Sequence, residues 1–118
     1  MKTVHDFFEA WGEADAEARN DKIAGTMSDE FFYVDPRAPD PITELSVLQG
    51  YIGNFSKAAP GAVAKLAKLS TSHDLYHRAT VLFMITEEMT QNGQYYVETD
   101  MFGRITKLVG FSGTGEPQ

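Results

Sequence analysis

The 118-residue sequence contains no cysteine. Disulfide bonds, thiol nucleophiles and cysteine-ligated zinc or iron–sulfur centres are therefore excluded. The sequence also lacks any apolar run near the roughly 18 residues that are needed to span a bilayer. An acidic residue and a tryptophan interrupt the first eleven residues, where a secretory signal needs a continuous apolar stretch. These absences predict a cytoplasmic protein that is not inserted in a membrane.

Basic residues are also scarce. Ten Lys and Arg stand against seventeen Asp and Glu, which gives a formal net charge of −7. The basic residues are scattered along the chain, and a net negative charge repels both phosphate backbones and anionic lipid head groups. We therefore expect neither a nucleic-acid partner nor a membrane partner. A neutral ligand in an internal cavity remains compatible with this charge.

The sequence does contain enough apolar material for one core. Hydrophobic residues make up 42% of the chain and aromatic residues 12%. A chain of this length is the size of one ordinary domain. We expect a single folded domain over residues 1–113. Residues 114–118 contain Gly and Pro but no large apolar side chain, which predicts a flexible C-terminal tail.

The first half of the chain has the apolar spacing of helices. A first helical stripe consists of Val4, Phe7, Phe8, Trp11, Ala14 and Ala18. Asn20 and Asp21 are residue types that cap helices, which predicts a second, short helix after them. Residues 31–34 then form a β-prone run, and a third helix is predicted from Thr43, with an apolar face made of Leu45, Leu48, Ile52 and Phe55.

The second half has the composition of strands. Residues 76–85 are rich in β-branched and aromatic residues, Asn92-Gly93 is a strong hairpin signal, and Gly103 offers a second turn. Residues 62–70 are ambiguous, because their Leu, Ala and Lys content favours a helix locally. The order of elements predicts an α+β protein with helices packed on one face of an antiparallel sheet.

Several short motifs resemble the SnoaL-like branch of the nuclear transport factor 2-like superfamily, which includes ketosteroid isomerases, polyketide cyclases and limonene-epoxide hydrolases. They are Trp11, FYVDPR at 32–37, Pro60-Gly61, His73-Asp74 and GRITKLVGF at 103–111. The resemblance covers nearly the whole chain. It implies a cone-shaped fold, in which three N-terminal helices and a curved, mostly antiparallel sheet enclose a pocket. It also implies that 62–70 is a strand, and that the protein forms a homodimer through the outer face of the sheet.

The resemblance further implies that Asp35, the residue before the proline of the DP motif, faces the pocket. A carboxylate in a water-poor pocket is a stronger base, because burial disfavours its charged form. The same residue has a purely structural interpretation, since Asp before Pro often caps a turn through nearby backbone amides. The sequence leaves both interpretations open.

Two further residues are candidates for the chemistry. A strand position at which isomerases of the superfamily often carry an acid falls on Tyr95, whose phenol can donate a hydrogen bond to an oxyanion. His73 aligns with a turn histidine of relatives and is a candidate acid or base, although a solvated turn histidine is common. The sequence contains the residue types of the Asp-Arg-Asp relay of epoxide hydrolysis, but their spacing does not predict the geometry of that relay.

No metal or cofactor is expected, because His73 and His77 straddle a turn and a strand and so lack the helical i, i+4 geometry of a ligand pair. On strand 76–85, His77, Ala79 and Val81 share the more apolar face, which predicts that this face points inward. The predicted ligand-contacting residues are Trp11, Phe32, Tyr33, Val81, Phe83 and Val97. Apolar side chains at regular spacing are core packing far more often than ligand contacts, so the core is the competing interpretation.

Two functions follow from the sequence. The first is a pocket that binds a small, largely apolar or carbonyl-containing molecule and catalyses isomerase- or cyclase-like proton transfer. Asp35 is its general base, and Tyr95 and His73 assist it. The second is a non-catalytic ligand-binding or dimerisation module, which the absence of a tyrosine from the first helix favours.

Overall fold

A computed structural model of the protein describes residues 1–113. The predicted tail, 114–118, lies outside the described residues. The elements in chain order are α1 (Lys2–Glu9), a short 3-10 helix (Ala10–Gly12), α2 (Ala16–Thr26), β1 (Met27–Val34), α3 (Leu45–Ala58), β2 (Val63–Ser72), β3 (Tyr76–Met84), β4 (Thr90–Thr99) and β5 (Ile105–Ser112). The α+β class is confirmed. Within residues 1–113, no helix is long and apolar enough to cross a membrane.

The five strands form one curved sheet in the order β1-β5-β4-β3-β2. The β1–β5 pair is parallel and the other three pairs are antiparallel, as a mostly antiparallel sheet requires. The pairing register shifts within β2 and again near the end of β4. Irregularities of this kind bend a strand and increase its twist. The three helices cover one face of the sheet, which is the predicted architecture.

The core lies between the helices and the concave face of the sheet. Its largest fully buried side chains are Tyr33, Phe7, Phe8, Ile23, Leu48, Ile52, Ile105, Leu108, Val4, Val81 and Val97. The predicted stripes of α1 and α3 supply many of them, because helical spacing places these side chains on one face. Leu45 of the predicted α3 face is exposed instead.

Residues 63–70 of the ambiguous segment 62–70 belong to β2, so that the segment is a strand as the resemblance implied. Ala64 is buried, whereas Val63 and Lys65 on either side are exposed. This period of two is that of a strand on a sheet with one buried face. Backbone pairing with β3 continues from Val63 to Ser72. Tertiary pairing therefore outweighs the local helical propensity of the segment.

The hairpin predicted at Asn92-Gly93 is wrong. β4 runs unbroken through both residues, and the chain reverses earlier, where Ile85 N donates to Met89 O over 2.9 Å. Gly93 is a glycine for another reason, since a Cβ atom at this position would lie 3.2 Å from Cε2 of Phe83. A glycine inside a strand commonly marks such a close approach.

The helix boundaries also differ from the prediction. α1 ends at Glu9, so its stripe does not continue to Ala14 and Ala18. The N-cap of α2 is Asp15, whose Oδ2 accepts a hydrogen bond from Ala18 N at 2.9 Å. Asn20 therefore lies inside α2 and does not cap it. Asp15 satisfies one of the amide groups that the first turn of a helix leaves unpaired.

His77 faces inward from β3, as its strand pattern predicts. It is 3% exposed. Its Nδ1 lies 2.9 Å from Oγ1 of Thr71, and its Nε2 lies 2.9 Å from Oγ1 of Thr99. Burial lowers the pKa of His77 below its ordinary value of 6.5, because desolvation disfavours the charged imidazolium.

This lowered pKa predicts a loss of stability in acid. Above pH 6.5 the imidazole is neutral in both the folded and the unfolded chain, so His77 does not change the free energy of unfolding there. As the pH falls below 6.5, the unfolded chain takes up a proton that the folded chain resists, so the free energy of unfolding decreases. We expect urea unfolding at pH 7.5 and pH 5.0 to show a larger decrease for the wild type than for His77→Gln. Equal decreases would contradict the assignment.

Candidate active site

A pocket of about 320 Å³ opens between α3, the β3–β4 hairpin and the end of β5. Its buried or half-buried lining residues form the floor and walls, and they include Trp11, Asp35, Tyr51, Phe55, Phe83, Gly93 and Tyr95. Its exposed polar lining residues form the rim, and they are Arg37, Asn54, Gln91, Asn92 and Ser112. An apolar hollow with a few converging polar groups is the usual form of a small-molecule site.

Asp35 is the carboxylate of this pocket. Its Oδ1 accepts hydrogen bonds from the backbone N–H groups of Arg37 and Ala38, each at 2.8 Å. The Tyr51 hydroxyl contacts both of its oxygens, at 2.8 Å and 2.7 Å, and the Tyr33 hydroxyl donates to Oδ2. The two interpretations of Asp35 therefore describe one side chain, which caps the turn and also lies in the pocket lining.

The local sequence explains how Asp35 reaches this place. Alternation along β1 turns Tyr33 into the core and Phe32 outward. β1 ends at Val34, and Pro36 restricts the residue before it to an extended conformation. Asp35 thus continues the line of the strand to the edge of the pocket, where the turn amides meet its carboxylate.

Tyr51 is a site residue that the sequence analysis missed. It lies on α3, three residues after Leu48 and four before Phe55, so it shares the inward face of that helix. The spacing was a usable signal. The first helix contains no tyrosine, and the third helix supplies the phenol instead.

Three phenols form one cluster with Asp35. The hydroxyl of Tyr95 lies 3.1 Å from that of Tyr33. Burial raises the pKa of Tyr33, Tyr51 and Tyr95 above the ordinary value of 10, and the nearby Asp35 charge raises it further. All three phenols are therefore neutral near pH 7 and keep the protons that they donate.

Gly110 makes room for this cluster. It lies opposite Tyr95 in the β4–β5 pair. A Cβ atom at Gly110 would lie 2.8 Å from Cε1 of Tyr95 and 3.0 Å from Cβ of Asp35. Both distances are shorter than ordinary van der Waals contact, so any side chain at this position would displace Tyr95 or Asp35.

Aromatic rings form the walls. The Trp11 ring lies 5.3 Å from Phe55, 5.4 Å from Phe83 and 6.2 Å from Tyr51, centroid to centroid, and all three contacts are edge-to-face. Such rings present a large apolar surface in a fixed arrangement. The walls therefore suit a flat or cyclic apolar ligand.

The structure thus brings together part of the predicted site. Asp35, Tyr95, Trp11 and Phe83 all line the pocket, and Tyr33 is fully buried beneath it in contact with Asp35. The other predicted ligand contacts lie elsewhere. Val81 and Val97 are fully buried in the core, and Phe32 is on the outer face of the sheet, where it is 37% exposed.

His73 is not part of this pocket. It lies in the exposed turn between β2 and β3, with φ of 54°, and its Nδ1 is 2.9 Å from Oγ of Ser72. Phe83, which lines the pocket, is near the opposite end of β3. An extended strand rises about 3.4 Å per residue, so His73 is too far away to serve as its acid or base.

The Asp-Arg-Asp relay is likewise not assembled. The Arg37 guanidinium donates to the Gln91 side chain across the rim. Asp40 is exposed and does not line the pocket. In residues 1–113, the one carboxylate among the pocket-lining residues is that of Asp35.

One group on α1 has the composition of a metal site. Within the described residues, ligand atoms of His5, Asp6 and Glu9 come within 4.8 Å of one another. Lys2 lies 2.6 Å from Asp6, and Lys22 lies 2.9 Å from Glu9. These ammonium groups already neutralise the two acids, and the group is remote from the pocket.

No protein-family model matches the sequence, and no curated protein matches it. Solved structures do. A protein from Agrobacterium tumefaciens, described as an isomerase of the SnoaL-like family, is 22% identical with a TM-score of 0.83, and the match covers 96% of each chain. A protein from Catenulispora acidiphila with a ketosteroid isomerase-like fold, solved with trimethylamine, is 13% identical with a TM-score of 0.77 over 95% of this chain and 85% of the other.

A third structure is the epoxide hydrolase/cyclase-like enzyme SalBIII, which acts in pyran ring formation in salinomycin. It is 16% identical, with a TM-score of 0.73 over 96% of this chain and 89% of the other. The chain therefore has the nuclear transport factor 2-like fold, in the form shared by SnoaL-like and ketosteroid isomerase-like proteins. The resemblance found in the sequence is confirmed at the level of fold, and fold alone does not assign an activity.

The close contact at Gly110 gives a testable prediction. Gly110→Ala should lower the free energy of unfolding by about 1–3 kcal/mol, because the added methyl group overpacks the cluster. Gly50→Ala in α3 is the matched control, since a Cβ there meets nothing within 4 Å and alanine favours a helix. Urea unfolding followed by circular dichroism measures both. A Gly110→Ala protein as stable as the wild type would contradict the packing described here.

Proposed function

We propose that the pocket binds a small, largely apolar organic molecule and that Asp35 is the general base of an isomerase- or cyclase-like proton transfer that needs no cofactor. The observation that carries the proposal is a half-buried carboxylate among the aromatic walls of the pocket. The solved structures of similar fold include an isomerase of the SnoaL-like family and a cyclase-like enzyme, which supports this class of chemistry.

The contacts of Asp35 suit a base that must stay in one orientation. The turn amides of Arg37 and Ala38 hold Oδ1, and the phenols of Tyr33 and Tyr51 hold the carboxylate from the other side. In the proposed step, Asp35 takes a proton from the ligand, and it later returns a proton to another atom of the product. A positioned base of this kind typically contributes about 10²–10⁴-fold to a rate.

A second candidate function is ligand binding without catalysis. The favouring observation is that four protein groups donate to Asp35, so its carboxylate has a complete structural role as a turn cap. The fully buried Phe7 and Phe8 also occupy the core beside the pocket, where Phe8 lies 4.9 Å from Tyr95. A receptor pocket needs only the apolar walls.

We further propose that two copies of the chain associate through the outer face of the sheet. Several aromatic side chains on this side are exposed, including Tyr96 at 38% and Phe32 at 37%. Tyr96 lies between Arg78 and Val109 in the strand pairing, near the middle of the sheet. Contiguous exposed apolar surface is a common mark of an association site. A cytoplasmic location and the lack of nucleic-acid or membrane partners stay predictions.

The homodimer predicts a mass of about twice 13.1 kDa in light scattering at micromolar concentration. Tyr96→Glu should convert it to a monomer, because it places two carboxylates across a two-fold contact. Lys57→Glu, at the end of α3 on the helical side, should leave the mass unchanged. A wild-type monomer would refute the dimer.

Ligand binding can be followed through Trp11, the single tryptophan of the chain, which lies in the pocket wall. We expect small cyclic ketones and phenols to change its fluorescence. Ligands that bind would then be incubated with the protein in D₂O, and proton NMR would follow product formation and the loss of exchangeable C–H signals. This readout detects proton transfer without a known natural substrate.

Asp35→Asn should lower the rate of any such conversion at least about a hundredfold, while the aromatic walls preserve binding. Asp40→Asn is the matched control, because Asp40 also precedes a proline and is exposed outside the pocket. An Asp35→Asn protein with the wild-type rate would remove Asp35 from the mechanism. Binding without conversion by the wild type would favour the non-catalytic function.

A further inference from the structure

Whether the pocket offers hydrogen-bond donors or acceptors to a ligand, which we call its polarity, depends on which atom accepts each phenol proton. Each tyrosine hydroxyl has one proton to donate and can accept through its oxygen, whereas an ionised carboxylate only accepts. A cluster of three phenols around one carboxylate therefore has three protons to distribute. Their distribution decides which groups remain to meet a ligand.

All three protons are committed inside the cluster. Tyr33 and Tyr51 both donate to Asp35. Because the single proton of Tyr33 is used in this way, the contact of 3.1 Å between Tyr33 and Tyr95 requires Tyr95 to be the donor. The raised pKa of each phenol keeps these protons in place near pH 7.

The floor of the pocket therefore offers acceptors. Tyr51 and Tyr95 both line it, and each hydroxyl oxygen keeps lone pairs after its proton has been donated. The carboxylate of Asp35 also lines the pocket, but its roughly four acceptor sites already meet four donors. The backbone N–H groups of Arg37 and Ala38 do not change this result, since both donate to Asp35. Tyr95 consequently does not present the free hydroxyl proton that the sequence analysis assigned to it for an oxyanion.

At the rim, Arg37 has the opposite polarity. Arg37 lines the pocket at its exposed edge and has a guanidinium group with five N–H donors and no acceptor. One of its donors holds Gln91, which fixes the group across the rim. The rings of Trp11, Phe55 and Phe83 line the same pocket and contact one another.

We propose that the pocket selects a cyclic, largely apolar molecule with an O–H or N–H donor at its inner end and a carbonyl or carboxylate group at its outer end. The donor meets the hydroxyl oxygens of Tyr51 and Tyr95, the ring lies among the aromatic walls, and the outer oxygen meets Arg37. This assignment rests on the proposed function, which places a ligand in this pocket, and adds the chemical class and orientation of that ligand.

A matched set of three probes tests the assignment. 4-Hydroxyacetophenone has both polar ends, 4-methoxyacetophenone lacks the inner donor, and 4-ethylphenol lacks the outer carbonyl. We expect the first to bind about fivefold more tightly than the second, because methylation removes the hydrogen bond to the tyrosine oxygens. Titrations of ¹⁵N-labelled protein, followed through the amides of Gly93 and Gly110, give each Kd.

Two variants assign the two ends. Asp35→Asn should abolish the preference for the hydroxyl over the methoxy probe. The oxygen of the new amide can still accept from the turn, while its NH₂ group donates toward the phenols. A phenol proton is then free to point into the pocket. Arg37→Met removes the guanidinium group, keeps an unbranched apolar stem, and should abolish the preference for 4-hydroxyacetophenone over 4-ethylphenol. Intermolecular NOEs in the wild type should place the acetyl methyl group near Arg37 and the hydroxyl end of the ring near Tyr51.

The outcomes separate this inference from the proposed function. If the methoxy probe binds in the pocket as tightly as the hydroxyl probe, or if the NOEs place the acetyl group at Tyr51, the polarity assignment is wrong and the ligand pocket stands. If none of the three probes shifts the amides of Gly93 and Gly110, both the inference and the proposed ligand pocket are contradicted.

Discussion

The structure around the pocket depends on one constraint, which is that the charge of Asp35 must be satisfied in a half-buried place. An ionised carboxylate removed from water is costly unless hydrogen bonds replace its hydration. Here the replacement comes from neutral groups, namely two turn amides and the phenols of Tyr33 and Tyr51. Charged acceptors strengthen such bonds, so this cluster has a defined geometry without a buried ion pair.

The donors come from different parts of the fold, and the cluster therefore joins them. Tyr33 belongs to β1, Tyr51 to α3, and Tyr95 to β4 on the far side of β5. Gly110 on β5 leaves the space in which the ring of Tyr95 passes. The contacts that position Asp35 thus also hold the third helix over the sheet. They use all three phenol protons, so that none is free to bind a ligand. Structural support and pocket polarity have one physical cause.

The sequence predicted the α+β class because periodicity is local. The family resemblance implied that Asp35 faces the pocket, and local proline geometry predicted only its extended backbone. The strand at residues 62–70 could be predicted only from the family resemblance, because strand pairing with β3 outweighs the local helical propensity of this segment. The hairpin prediction at Asn92-Gly93 was wrong, because a glycine is needed at position 93 to make room for the ring of Phe83 from another strand. Tyr51 was within reach of helical spacing, whereas the direction of the Tyr95 proton depends on Tyr33 and could not be read from either residue alone.

The central claim is that Tyr33 and Tyr51 donate to an ionised Asp35 and that Tyr95 donates to Tyr33. Neutron diffraction from a deuterium-exchanged crystal measures it most directly, because it locates the hydroxyl deuterons. The account predicts a deuteron on each of the three phenol oxygens, oriented along these contacts, and none on Asp35. A deuteron on the Asp35 carboxyl group, or a Tyr95 deuteron directed into the pocket, would contradict it.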